Sequence, residues 1–314
     1  MAAKTLIINL NLALDKTVYV PRLRPHETYR LGPGVITLPG GKGVNMARAL
    51  RSAGGSPVVA GFVAGHMGAL IEKALRGTGL KSMLFRHSAG ESRLCFTLAT
   101  AGGAAYNFNE EGVPVPLSAQ RALLAAAGRA ARGLSLAAVC GRRVRGLARD
   151  FYVRLSRRLI AGGAGEVGYD ASGPALRDGV LGGATLVKIN RQEFEEFGRS
   201  SLTSGAVARC RARWSPRGLR TLIVTNSSGP GHCSCPAGDF VFYPPAAGRV
   251  VNPVGAGDSF MAGWARAVGL RLAVPDALKL AAGCSVADCM TLGSGVINRA
   301  EAERWARRVR VRKL

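Results

Sequence analysis

The stretch Thr185-Leu-Val-Lys-Ile-Asn-Arg-Gln-Glu-Phe-Glu-Glu-Phe-Gly198 changes its periodicity partway along. Thr185 to Ile189 is a short apolar, β-branched run of strand length. Phe194 and Phe197 then recur three residues apart, and Asn190 with Glu193 makes the capping-box pattern that opens a helix. A strand feeding directly into a helix is half of a βαβ unit, and the same switch recurs along the chain. Further strands are expected at Thr5 to Leu10, Pro57 to Val63, Leu136 to Cys140, Glu166 to Asp170 and Leu219 to Thr225. Helices fit at Val44 to Ser52, Met67 to Arg76, Ala119 to Arg132, Asp150 to Ala161, Glu193 to Gly198 and Val207 to Trp214. Such alternation builds a doubly wound α/β fold around a mostly parallel sheet.

Two regions break the pattern, Lys16 to Thr37 and Lys81 to Asn109. In the second, Arg93 to Thr100 and Ala104 to Phe108 read as strands with no helix between them. The two regions are expected to pair as a small antiparallel β sheet at one edge of the main domain, where it would act as a lid over a cleft. Beyond Tyr243 the chain turns helical, at Ala256 to Val268, Pro275 to Met290 and Ala300 to Val309. Residues 1–314 are therefore read as a single domain with lid segments at about 16–37 and 81–109.

A 47% hydrophobic composition over 314 residues supplies a large core. The formal charge of +24 suggests an anionic partner such as nucleic acid, a membrane surface or a phosphorylated molecule. The excess is mainly Arg, spread over Arg142 to Arg158, Arg209 to Arg220 and Arg304 to Lys313, with few aromatics nearby. It reads as a solvated surface, and nucleic-acid binding is not expected. Seven cysteines include no C-x-x-C pair, and Cys233-Ser-Cys235 is too tight for structural zinc. Free thiols in a reducing compartment are expected. Leu6 to Leu10 is apolar but short and interrupted by Asn9, so it is read as a first strand rather than a leader. No apolar run is long enough to span a bilayer. A soluble cytoplasmic protein is the expectation.

Three segments carry chemistry. In Asn252-Pro-Val-Gly-Ala-Gly-Asp-Ser-Phe260, Gly255, Ala256 and Gly257 let backbone N–H groups approach an anion at a helix start, with Asp258 placed to take a proton. The alternative is a tight turn with an acidic first helical turn. In Gly40-Gly-Lys-Gly-Val-Asn45 a glycine-rich turn enters a helix, and Lys42 could neutralise a phosphate. It is not a Walker loop, because Gly follows Lys42, and two glycines turning the chain would explain it equally. Asn190 and Glu193 could organise hydrated Mg²⁺ through water, or simply cap their helix.

Taken together and in this order, the segments resemble the PfkB, ribokinase-like carbohydrate kinases, and most of all their hexose-phosphate branch. The resemblance spans nearly the whole chain. It implies ATP as phosphoryl donor, Mg²⁺ as cofactor, and a homodimer formed through the lid. It implies transfer to a primary hydroxyl of a ketohexose phosphate, whether fructose 1-phosphate, tagatose 6-phosphate or fructose 6-phosphate. Asp258 matches the family base. Asp15, Gly40, Gly41, Lys42, Asn45 and Asn109 match the sugar site, with Lys42 and Arg93 expected on the phosphate already carried by the sugar. Lys188, Asn190 and Glu193 match the segment for ATP phosphates and metal, and Thr225, Ser228, Gly229 and Asn252 match the nucleotide side.

The chain also departs from the family. Leu12 replaces a proline, Cys140-Gly-Arg-Arg-Val-Arg145 replaces a Ser-Gly-Ser segment, and Asn226-Ser-Ser-Gly-Pro-Gly231 lacks a Leu-Gly. Arg142 or Arg143 could therefore add a phosphate contact, or both could be solvated arginines beside the cleft. The alternatives are a kinase for an unphosphorylated sugar or nucleoside, and a basic binding or regulatory protein that has lost catalysis on the same fold.

Overall fold

Along β1 (Lys4–Asn11) the side chains alternate between two cores. Ile7 packs into one and Leu6 and Ile8 into the other. A strand buried on both faces belongs at the centre of a sandwich of helices. The computed structural model describes residues 4–101, 105–248 and 250–314, and it places β1 inside a ten-stranded sheet, third from one edge.

On one side of β1 lie β4 (Ser56–Ala64) and β5 (Lys81–His87). On the other lie β8 (Leu134–Cys140), β9 (Val167–Asp170), β10 (Leu186–Asn190) and β11 (Thr221–Thr225), all of them parallel to it. Three antiparallel strands finish that edge, β12 (Gly231–Cys235), β13 (Gly238–Tyr243) and β14 (Arg310–Lys313). Helices α1 (Lys42–Ser52), α2 (Gly65–Gly77), α8 (Ala256–Gly269), α9 (Val274–Cys289) and α10 (Arg299–Ala306) cover one face. The opposite face carries α3 (Leu117–Ala130), α4 (Phe151–Ala161), α5 (Gly173–Leu181), α6 (Arg191–Gly198) and α7 (Ser204–Trp214). Among the described residues no helix is long and apolar enough to cross a membrane.

The second sheet runs β3–β2–β6–β7, with β2 at Ala13–Val20, β3 at Ile36–Gly40, β6 at Arg93–Thr100 and β7 at Ala105–Asn109. Its outer pairs are antiparallel, while β2 and β6 pair in parallel. The expected start of β7 at Ala104 lies outside the described residues. Lys81 to His87, grouped by sequence with the lid, instead forms the edge strand of the large sheet. It completes a β–α–β crossover from β4 through α2.

Two further elements differ from expectation. Helix α5 opens on Gly173-Pro174, a proline start within a Gly-rich stretch. The last helix ends at Ala306, not Val309, because the chain then pairs with β13 as β14.

Candidate active site

A cleft of about 880 Å³ opens between the two sheets. Strands β2, β3, β6 and β7 wall one side, and the starts of α1 and α8 with the ends of β10 and β11 form the floor. Ligands of open α/β sheets bind beyond the carboxyl ends of the parallel strands, and the floor lies there.

The start of α8 is made for close approach. Gly255, the N-cap, has φ +99, and a Cβ there would lie 2.7 Å from Asp288 Oδ2. At Gly257 a Cβ would lie 2.7 Å from Lys188 Nζ. Gly255, Ala256 and Gly257 all line the cleft, so their amides can face an anion. Asp258 follows in the first turn and is only 7% exposed. Its Oδ2 accepts a 2.9 Å hydrogen bond from Asn45 Nδ2 on α1. Burial, with the nearby Asp170 carboxylate, pushes Asp258 up to about 7, against the pull of Lys42, Asn45 and Lys188. A carboxylate so tuned is a competent proton acceptor near neutral pH.

Asp170, at the end of β9 and 1% exposed, ties two lysines together. Lys188 Nζ lies 3.3 Å from its Oδ2 and Lys42 Nζ 3.4 Å from its Oδ1. Burial pushes this carboxyl up, but the two ammonium groups prevail and its net shift is downward. Lys42 also lies 3.7 Å from Glu193 Oε1, and the Asp170 carboxylate foremost holds it firmly protonated. Lys42, expected on the sugar phosphate beside Arg93, lines the same cleft as Arg93 and is paired there with carboxylates. Two carboxylates, Asp170 and Glu193, reach its ammonium at the floor of the cleft.

At the other end sits Asp15, on β2. Gly40 must be glycine, because a Cβ there would fall 1.9 Å from the Asp15 carboxyl carbon. Gly41, with φ +102, turns the chain into α1 with its Cβ position 2.7 Å from Asn9 Nδ2. Asp15 Oδ1 is buried without a hydrogen-bond partner among the described residues. Burial raises its pKa, opposed by Arg93, the Gly41 N–H and Arg48. An orphaned acceptor at a cleft wall suits an incoming hydroxyl. Arg93 is anchored to the Asn11 carbonyl at 3.2 Å and the Glu110 carbonyl at 3.4 Å, and Asn109 lines the same wall.

Asn190 and Glu193 form the capping box read from the sequence. Asn190 Oδ1 accepts from the Glu193 amide at 2.9 Å, and Glu193 Oε2 accepts from the Asn190 amide at 3.0 Å. That cap leaves Glu193 Oε1 facing Lys42 and the cleft. Hard oxygen donors of this kind fit Mg²⁺ held through water. Among the described residues no group of three His, Cys, Asp or Glu side chains could enclose a metal directly. Thr225 and Ser228 line the cleft, and Phe242, Pro244, Pro245 and Val250 form an apolar wall beside them.

Gly229 and Asn252 are not among the cleft-lining residues. The Gly229 amide closes a turn on the Asn226 carbonyl at 2.7 Å. Asn252 braces its own loop, donating to the Leu292 carbonyl at 2.8 Å and accepting from the Val254 amide at 3.0 Å.

Residues 9–302 match the model of the pfkB family carbohydrate kinases. The chain belongs to the pfkB family. The 1-phosphofructokinase of Rhodobacter capsulatus is 28% identical over 290 residues, covering 91% of this chain and 90% of its own. A tagatose-6-phosphate kinase of Staphylococcus epidermidis is 26% identical over 263 residues, 82% of this chain and 84% of the other. The solved structure of phosphofructokinase-2 from Escherichia coli in complex with fructose-6-phosphate superposes with a TM-score of 0.87 at 19% identity, covering 98% and 99% of the chains. The ribokinase-like architecture expected from the sequence is thus the one observed.

Three residues of this pfkB kinase escaped the sequence reading. Asp170 fell at the end of a recognised strand with no motif to mark it. Arg48 lies on the α1 face that lines the cleft, where burial lowers its pKa against the pull of Asp15, Asp288 and Asp258. Asp288, 1% exposed near the end of α9, is raised to about 7 by burial and by Asp258. An apolar helix carrying an unpaired acid was the available signal there. The sequence reads Arg142 and Arg143 either as a phosphate contact or as solvated arginines. Neither is among the cleft-lining residues. Arg143 pairs instead with Asp178 at 3.2 Å and donates to the Leu147 and Ala148 carbonyls, fixing the loop into α4.

Proposed function

We propose that this pfkB kinase transfers the γ-phosphoryl group of ATP to a primary hydroxyl of a ketohexose phosphate, giving a bisphosphate. One observation carries the reading. A single cleft holds a proton acceptor beside an anion-facing helix start, Asp258, and an unpartnered carboxylate beside a guanidinium, Asp15 with Arg93. The names of the relatives, 1-phosphofructokinase and tagatose-6-phosphate kinase, support the same substrate class.

In this scheme Asp15 accepts hydrogen bonds from sugar hydroxyls, and Arg93 takes the existing phosphate in a charge-assisted contact. The attacking oxygen bonds to the γ-phosphorus as the bridging bond to ADP breaks, and its proton passes to Asp258. The amides of Ala256, Gly257 and Asp258 face the charge that develops, with Lys42 and Lys188 close by. Mg²⁺, held through water by Asn190 and Glu193, supplies neutralisation of phosphate oxygens. Thr225, Ser228 and the apolar wall accept the nucleoside.

Coupled ADP release tests the substrate class across fructose 1-phosphate, fructose 6-phosphate, tagatose 6-phosphate and the unphosphorylated hexoses. A phosphorylated ketose is expected to win. A free hexose or nucleoside turned over faster would overturn the reading. In this scheme Lys42 sits by the transferring phosphoryl group, so Arg93 holds the sugar phosphate without it.

The lid sheet also supports a homodimer. Its edge strand β7 is exposed along its whole length, with Tyr106 47% and Phe108 61% accessible. Light scattering showing only monomer would refute it. Seven free cysteines agree with a reducing, cytoplasmic setting.

A further inference from the structure

Arg48 stands one turn after Asn45 on α1, facing the cleft. It donates to Asn45 Oδ1 at 3.4 Å, to the Pro39 carbonyl on β3, and to the Ser294 carbonyl in the loop after α9. The guanidinium is therefore clamped between the small sheet and a loop of the large domain. That loop presses on α1, since a Cβ at Gly295 would lie 2.3 Å from the Asn45 carbonyl oxygen.

A carboxamide has one accepting end and one donating end, whereas a guanidinium only donates. Of the two ends of the Asn45 amide, Arg48 can therefore use only Oδ1, which leaves Nδ2 turned toward Asp258. A donor on Asp258 favours its ionised form. The flipped amide would set an oxygen against Asp258 and favour the protonated acid. We infer that Arg48 is a positioning residue that, by holding Oδ1 of Asn45, keeps Nδ2 on Asp258 and so keeps the carboxyl in its proton-accepting form. The inference rests on the reading of Asp258 as the base.

The other groups that bear on Asp258 are Asp170 on β9, Lys42 on α1, Lys188 on β10, Asp288 on α9 and the Cys140 thiol on β8. Each stays in place when Arg48 or Asn45 is changed, so a difference between variants reports the relay. Arg48 also acts on Asp258 directly through its charge, and a double variant separates the two routes.

The experiment is the pH dependence of kcat at saturating ATP and the best of the three ketohexose phosphates. It compares the wild type with Arg48→Met, Asn45→Ala, the double variant, Arg48→Lys and Asp258→Asn. Arg48→Met should move the acid limb upward by about one pH unit, and Asn45→Ala by a similar amount. The double variant should fall well short of the sum of the two single shifts, its excess over Asn45→Ala measuring the direct charge effect, and Arg48→Lys should recover part of the shift. An unmoved limb with a lowered plateau in Arg48→Met, or additive shifts in the double variant, would overturn the inference. Should Arg48→Met not fold, Arg48→Gln, which keeps a donor but no charge, should shift the limb less. No shift in that variant counts equally against it. Turnover retained in Asp258→Asn would remove the base reading itself, whatever the Arg48 variants do.

Discussion

The two ends of the cleft are built differently. At the phosphoryl end, Asp258, Asp170 and Lys188 are buried at strand ends and a helix start of the large domain, with Lys42 paired beside them. At the sugar end, Asp15, Arg93 and Asn109 hang on a four-stranded sheet whose outer strand is exposed throughout. The first end is a charge cluster whose members satisfy one another before any ligand arrives. The second leaves a carboxylate oxygen unpartnered. In the proposed scheme, transition-state stabilisation resides in preorganised dipoles and charges of the core, and acceptor recognition in groups that a ligand completes.

If that division holds, substitutions at the two ends should change different kinetic constants. The largest effect outside Asp258 should come from Lys42→Met. It should lower kcat about 100-fold or more while leaving KM for the sugar phosphate within about threefold. A rise in that KM with kcat preserved would put Lys42 back on the acceptor. Arg93→Ala should do the reverse, raising KM for the phosphorylated ketose about 10- to 100-fold with little change in kcat. Equal losses on free hexoses would break the assignment. The smallest effect should follow Arg143→Ser, which gives up the Asp178 pair and two carbonyl contacts. Urea titration should show about 1 kcal/mol lost, with acceptor KM unmoved.

The same division explains what could be read from the sequence. The parallel sheet was legible because its strands are buried on both faces and each leads into an amphipathic helix, as at Thr185 to Gly198. Asp258, Asn190 and Glu193 were legible because glycine freedom and capping chemistry mark them locally. Lys42 was singled out by its glycine-rich turn, but its carboxylate partners were not. Its direction is set by Asp170, 128 residues away, and local spacing carries no trace of that pairing. Arg48 and Asp288 were missed for a related reason, since an arginine or aspartate on a helix reads as solvated until tertiary packing buries it. The small sheet was recognised from strands without helices, but the same rule wrongly drew in Lys81 to His87, whose helix precedes it.

Burial of acids at the phosphoryl end also has a thermodynamic signature. Asp258 and Asp288 are both raised from an ordinary 3.8 to about 7. The folded state keeps their protons over a range where the unfolded chain gives them up. Their contribution to stability is therefore fullest below about pH 4 and is lost as pH rises toward 7. Asp258→Asn removes one of these charges, so its Tm should exceed that of the wild type at pH 8 and match it more nearly at pH 4.

The most direct test of Asp258 as the base is kcat for Asp258→Asn at saturating ATP and ketohexose phosphate, beside the wild-type pH profile. The account predicts a loss of about 1,000-fold in the variant and a wild-type acid limb with a midpoint near 7. Wild-type-like turnover in the variant, or a profile flat from pH 5 to about pH 9 with chemistry rate-limiting, would contradict it.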